Sequence, residues 1–318
     1  MKKVVLLTTG GTIASAPTKD SGKLASGSLT GEELTSLCQL PDDIEVVVDS
    51  VFQKPSMHIT FQDLKSLKER IEKHLEDDLV DGVVVTHGTD SLEETAYFLD
   101  LTVQDERPVV VTGSQRSPGD IGSDVYINLR HAIYTASAED LRGAGTVVVF
   151  NERIFAAKYV KKEHASNIQG FNAFGFGYLG IIDNDVVHVY QKPIRRETYE
   201  IKAPIPAVDI IKVYLEADGK FIDASVDSGV KGLVLEGVGR GQVSPRMMES
   251  IVRAIESGVV VVITTASEEG AVYPTYDYEG STYDLLQKGV ILGDDDDSKK
   301  ARMKLAVALA SGETDITY

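Results

Sequence analysis

Three short stretches hold most of the hydroxyl, glycine and carboxylate groups that could do chemistry: "TTGGTIAS" at 8–15, "THGTDSLEE" at 86–94 and "TGSQRSPGD" at 112–120. Each follows a run of valine or leucine, the pattern of a strand that ends in a loop. A threonine hydroxyl is a weak nucleophile until a base takes its proton and nearby donors hold the developing oxyanion. Gly10 and Gly11 next to Thr12 let backbone N–H groups approach a substrate closely. Asp90 follows Thr89 where a strand gives way to a loop, so it either caps the next helix or offers a carboxylate to a ligand. A single "GGT" is better explained by a loop threonine bonded to its own backbone. Three such loops on one strand edge make a pocket.

Other chemistries fit less well. "GGTIAS" lacks the Gly-Lys-Ser/Thr of a phosphate loop. The dinucleotide pattern Gly-x-Gly-x-x-Gly occurs once, as "GFGYLG" at 175–180, but the strand-like "IIDNDVVHVY" follows it where a helix is required. The six histidines show no HExxH or other ligand spacing, and the single Cys38 excludes an intrachain disulfide. The run "GDDDDSKK" reads as a helix start, its carboxylates at the positive end of the dipole, rather than as a metal loop. The sequence therefore implies neither a metal nor a cofactor.

The elements that must position these loops alternate along the chain. Val4–Leu7, Glu45–Val48, Val80–Val85, Val109–Thr112 and Thr146–Phe150 read as strands buried on both faces. Between them, Phe61, Leu64, Leu67, Ile71 and Leu75 fall at helical spacing, with Thr60 as N-cap and Asp63 in the first turn. Val125, Leu129 and Ile133 mark a further helix. The order predicts an α/β fold: a larger N-terminal domain over 1–190 with a mainly parallel sheet flanked by helices. "QKPIRRETYEIKAPIP", with three prolines, predicts an interdomain linker over 191–207. A smaller C-terminal α/β domain follows over 208–318, with strands near Ile210–Tyr214, Gly232–Leu235 and Val259–Thr264. Its helices fall near Pro245–Glu256 and Ser298–Ala310.

Charge and hydropathy narrow the partners. A net charge of −17 over 318 residues argues against nucleic acid and against anionic membrane surfaces. The longest apolar runs are about five residues, far below the roughly 20 needed to span a bilayer. The start "MKKVVLLTTGG" has too few apolar residues for a signal peptide's central region and reads as a first strand. The expectation is a cytoplasmic protein acting on a small molecule.

"TTGGTIAS" followed by "HGTD", with a β-α-β-α frame between them, resembles the bacterial-type L-asparaginase/glutaminase family. "GSQRSP", "NLRHAI", "GVGRG" and the final helix extend the likeness over essentially the whole chain. The resemblance implies that Thr12 is the nucleophile and that Thr89 is a second essential threonine. It makes Asp90 the carboxylate that holds the substrate's α-amino group. A lysine completing a relay with Thr89 falls at Lys162, with Lys161 one position away as the alternative. Ser56 in "QKPSMHIT" is the implied binder of the α-carboxylate, and Gly11, Gly88 and Ser114 join it as substrate-binding positions. The implied reaction is hydrolysis of the side-chain amide of L-asparagine through an acyl-enzyme, with no cofactor. The implied assembly is a homo-oligomer, dimer or tetramer.

This chain departs from the family pattern at four places. A tyrosine on the loop after the nucleophile is absent from 13–50, and the first tyrosine of the chain is Tyr97. The loop "APTKDSGKLASGS" at 16–28 remains the expected lid. Met57 replaces a glutamine beside Ser56, and Arg240 replaces an asparagine in "GVGRG". For the acidic residue that a neighbouring subunit supplies in the family, the candidates are Asp277 and Glu279. Two other functions stay open on the sequence: a glutaminase-asparaginase of broader specificity, or a non-catalytic amino-acid-binding protein on the same fold.

Overall fold

A computed structural model describes residues 1–17, 24–25, 29–194 and 196–318, so most of the expected lid lies outside the described residues. The chain divides into two compact units, Met1–Thr198 and Tyr199–Tyr318.

The first unit is built from β1 (Lys2–Thr8), the short antiparallel pair β2 (Ala16–Pro17) and β3 (Leu24–Ala25), and α1 (Gly31–Ser36). β4 (Ile44–Ser50), α2 (Phe61–Leu75), β5 (Gly82–Thr86), α3 (Leu92–Thr102), β6 (Val109–Thr112), α4 (Val125–Ala136) and β7 (Thr146–Phe150) follow. The last strands are β8 (Arg153–Ala156), β9 (Lys161–Lys162), β10 (Phe171–Asn172), β11 (Gly180–Asp183) and β12 (Val186–Val189). An eight-stranded sheet runs in the order β12-β11-β8-β7-β6-β5-β1-β4. The strands from β4 to β7 are parallel, whereas β8, β11 and β12 add antiparallel.

β1, β5, β6 and β7 are near-continuous valine or leucine because both of their faces are covered. By contrast β4, read from the sequence as buried on both faces, is the edge strand and only half-buried, having a neighbour on one side alone. Leu6 stands in register between Val48 and Val84, and Val84 pairs in turn with Val110. Leu6, Val84 and Val110 are fully buried, in one cluster with Leu34 after α1's first turn and with Leu129 and Ile133 of α4. α1 and α4 therefore share one face of the sheet. α4 lies across β5, β6 and β7, which leaves the opposite face of β6 and β7 to α3, with α2 beside it. The connection through α1 leads from β1 to β4, and the one through α4 leads from β6 to β7 in the opposite sense along the sheet. Two crossovers of opposite sense on one face have opposite hands, so one of them is the uncommon left-handed kind.

Local chemistry fixes α2. The Thr60 hydroxyl accepts from the Asp63 N–H, and the Asp63 carboxylate accepts from the Thr60 N–H at 2.9 Å, a reciprocal capping box. Lys54, on the loop after β4, donates to the same carboxylate at 2.7 Å and ties that loop to the helix.

The topology also places the loops of interest. Thr8, Thr86 and Thr112 end β1, β5 and β6 in a single row of the register, and Ser50 ends β4 beside Thr8. The four following loops thus leave the sheet at one level and one edge. The chain steps from β1 to β4 on one side, then returns to β5 on the other side of β1. The reversal lies between β1 and β5, and in open α/β sheets ligands bind at such a switch point.

The second unit has a parallel sheet in the order β13-β14-β15-β16: β13 (Val208–Lys212), β14 (Gly232–Gly237), β15 (Val260–Thr265) and β16 (Ile291–Leu292). Its helices are α5 (Lys220–Ser228), α6 (Met248–Glu256), α7 (Thr282–Gln287) and α8 (Ser298–Ser311). A 3-10 turn at Pro245–Met247 precedes α6 where the sequence predicts one continuous helix. The aspartate run ends as expected: the Asp297 carboxylate caps α8 by accepting from the N–H groups of Lys299 and Lys300. No described helix is long and apolar enough to cross a membrane.

Leu6→Ala, a core truncation, should lower stability by about 2–5 kcal/mol, against about 1 kcal/mol for loss of the exposed cap in Thr60→Ala. Urea midpoints of the two variants, measured side by side, check this ranking.

Candidate active site

The site begins with two loops whose backbones touch. Gly10 and Gly11 have φ of 104° and 85°, in the region that favours glycine. A Cβ placed on Gly11 would lie 2.4 Å from Gly88 N and 2.5 Å from Gly88 Cα. One placed on Gly88 would lie 2.9 Å from Ser56 Oγ and 3.3 Å from Gly11 Cα. Gly11, Gly88 and Ser56, from the loops after β1, β5 and β4, therefore stack without space for a side chain between them. Thr12 follows Gly11 and opens a 3-10 turn over Thr12–Ala14. The Ser15 hydroxyl closes that turn on Gly11 O at 2.7 Å, while Thr9 binds Thr86 O through both its N–H and its hydroxyl.

Lys162 gathers the second group. Its Nζ donates to Thr89 Oγ1 and to Asp90 Oδ1, each at 2.8 Å. Thr89 is buried, and the Lys162 side chain is only 12% exposed, whereas that of Asp90 is 67% exposed and faces outward. Lys162 stands on β9, which pairs with β10 through Phe171, and its backbone N–H donates to Glu93 Oε2 at 2.6 Å. The fully buried Glu93 on α3 thus anchors the short ribbon that carries the lysine. Asp90, which the sequence offers as either the cap of α3 or a free carboxylate, makes the ion pair, and Ser91 takes the N-cap position without a side-chain cap bond.

The remaining sequence candidates are distributed as follows. Ser56 is buried, and its carbonyl accepts from the Ser91 hydroxyl at 2.9 Å. Ser114 is fully buried, with its hydroxyl turned onto Arg116 O of its own loop at 2.7 Å. Met57 is exposed beside Ser56, while Tyr97 is a core residue of α3. Asp277, Glu279 and Arg240 are exposed in the second unit, where the Arg240 guanidinium lies 6.0 Å from the centre of the Tyr273 ring.

Three further residues shape the site without having been singled out in the sequence. His87 is fully buried. Its Nδ1 lies 2.8 Å from Gly88 O, an atom that only accepts, so Nδ1 carries the proton and Nε2 accepts from the Thr95 hydroxyl at 2.9 Å. Burial pushes the His87 pKa down to about 4, so the ring is neutral and serves as a brace for Gly88. Gln115, after β6, reaches Thr89, and Glu93 holds Lys162. A histidine between a buried strand and Gly-Thr is a visible signal for the first. No spacing rule marks the other two. Among the described residues, no three or more His, Cys, Asp or Glu side chains are grouped to hold a metal ion.

A hydroxyl joined to a lysine and a carboxylate, beside glycine turns at one end of a parallel sheet, is an arrangement that can pass protons and hold a small polar molecule. A family model described as "Asparaginase, N-terminal" matches residues 3–195, and "Glutaminase/Asparaginase C-terminal domain" matches 207–317. The chain belongs to the asparaginase family. It is 66% identical to an L-asparaginase of Bacillus licheniformis over 98% of this chain and 96% of that one. It is 35% identical to L-asparaginase 2 of Bacillus subtilis over 97% and 83%. The crystal structure of a probable cytoplasmic L-asparaginase from Campylobacter jejuni matches with a TM-score of 0.87 at 28% identity, covering 97% and 95% of the two chains.

Two outcomes follow. Gly11→Ala should lose both thermal stability and activity, because its new methyl group meets Gly88 backbone that has nowhere to move; a melting curve and an amidase assay check this. The second concerns pH. The unfolded chain takes up a proton on His87 near 6.5, while the folded chain resists until about 4. Stability present above pH 6.5 is therefore lost as pH falls towards 4, by up to about 3 kcal/mol. Urea titrations across that range should show a slope that His87→Asn reduces.

Proposed function

We propose that the protein hydrolyses the side-chain amide of L-asparagine to L-aspartate and ammonia. The observation that supports this most is the convergence of Lys162 on Thr89 and Asp90, in the loop packed against the one that carries Thr12. In this reading Thr12 Oγ1 attacks the amide carbon, and the carbonyl electron pair moves onto oxygen. The Thr12 proton leaves through the Thr89–Lys162 pair, and backbone N–H groups at the glycine turns hold the oxyanion. Collapse breaks the C–N bond, and the nitrogen takes up a proton and leaves as ammonia. Water then adds to the Thr12 ester, and a second collapse restores the hydroxyl and frees the carboxylate.

Binding fits the same groups. Asp90 accepts from Lys162 through one oxygen, and a carboxylate accommodates further donors, such as a substrate ammonium. Ser56, whose closeness to Gly88 supports its inclusion, donates to the α-carboxylate in this reading. Gly11, Gly88 and Ser114 shape the floor rather than react.

The resemblance further suggests a cytoplasmic homo-oligomer, dimer or tetramer. Relatives named glutaminase-asparaginase are 32% identical in Pseudomonas aeruginosa and 29% in Pseudomonas fluorescens, so both amides belong in the assay. Ammonia release from L-asparagine should exceed that from L-glutamine and should fall by about 10³-fold or more in Thr12→Ala. Ser56→Ala should raise KM by about 10–100-fold, the effect of one hydrogen bond to a charged group. Binding of asparagine without any ammonia would overturn the catalytic reading, and light scattering would settle the assembly.

A further inference from the structure

Gln115 touches the reactive pair from a side that the mechanism above does not use. Its Nε2 lies 3.2 Å from the backbone carbonyl of His164, which can only accept. That contact fixes the orientation of the amide: nitrogen towards His164, oxygen towards Thr89. Thr89 Oγ1 is 3.3 Å from Gln115 Oε1, so the Thr89 hydroxyl donates there. Lys162 Nζ in turn donates to Thr89 Oγ1 at 2.8 Å. The protons thus run one way, from Lys162 to Thr89 to Gln115 to His164.

The amide packs closely on Gly170, the residue before β10 whose carbonyl accepts from the Glu163 and His164 N–H groups: a Cβ there would lie 2.1 Å from Gln115 Nε2. The backbone N–H groups of Gln115 and Arg116 each donate to Asp124 at 3.0 Å, and Asn128 on α4 binds that carboxylate as well.

We propose that Gln115 is a positioning residue for the Thr89–Lys162 pair: by accepting the Thr89 proton it keeps Lys162 the donor in the resting site. Catalysis then requires the Lys162 ammonium to give up one proton to solvent, which leaves a lone pair on Nζ, and the Thr89 proton to swing from Gln115 towards that lone pair. The charged and titratable groups around the lysine are Asp90 after β5, Glu93 on α3, and Lys161, Glu163 and His164 on its own ribbon. Asp124 at the start of α4 is turned to backbone N–H groups of the Gln115 loop, and the Arg116 guanidinium reaches Ile121 O and Gly122 O instead. None of these sets the direction of the Thr89 hydroxyl; Gln115 does.

The inference deepens the amidase reading and rests on it, so its test includes a readout that needs no turnover. Gln115→Met removes both amide contacts, whereas Gln115→Glu removes the donor to His164 but keeps an acceptor for Thr89. Loss of the His164 tie is common to both, while the effect on the Thr89 proton has opposite sign. At fixed pH, acylation of Lys162 by acetic anhydride, which only the neutral amine can attack with release of acetate, should rise about threefold in Gln115→Met and fall in Gln115→Glu. Peptide mass spectrometry reads this against Lys161 as the internal standard. The acid limb of kcat/KM should move by about half a pH unit, downward in Met and upward in Glu. Shifts of the same sign in both variants, or no shift relative to Lys161, would overturn the proposal and reduce Gln115 to packing. Wild-type protein that releases no ammonia would overturn the amidase reading alone, because the acylation result stands without it.

Discussion

The close approach of the loops after β1 and β5 is the constraint on which the rest depends. Backbone meets backbone at Gly11 and Gly88, at a distance that no side chain could share. Only strands that end in one row and lie side by side can deliver two loops so exactly level, and the Thr8–Thr86–Thr112 row does this. The buried valines hold the strands, the strands hold the row, and the row holds the glycines. Neutral His87 completes the arrangement from below, its proton committed to Gly88 O.

The second part of the site is held differently. Lys162 comes from a two-residue strand outside the main sheet, which alone has little rigidity. Its position depends on polar ties instead: Glu93 on its backbone N–H, Asp90 and Thr89 on its ammonium. Strong polar contacts in a half-buried place stand in for the packing that a longer strand would provide. On the proposed mechanism this division has a chemical use, because a nucleophile loop must be fixed, while a proton carrier must be able to change partners.

The parallel strands and α2 were legible because burial on both faces writes valine runs and a capping box writes Thr60 and Asp63. The antiparallel extension was less so: β8 and β12 are four residues each. Their signals lie in the turns, where Asn151 and Glu152, and then Asn184 and Asp185, all have positive φ, as tight hairpins require. Thr12, Thr89, Asp90 and Lys162 are candidates through motifs and a resemblance, and the fold brings the last three together. Gln115 and Glu93 are not among the candidates, because what they do depends on a neighbour brought near by the fold, and residue type alone does not reveal that.

The single row of strand ends also bears on how the site comes into being. Thr9 meets Thr86 across 77 positions of chain, and Lys162 meets Thr89 across 73. Contacts so distant in sequence close large loops and form late relative to local structure. On a ribosome, where synthesis runs from the N-terminal side, Thr12 is made before Lys162 and waits for it. On the proposed mechanism, the nascent chain therefore carries the attacking hydroxyl for a time without the means to use it.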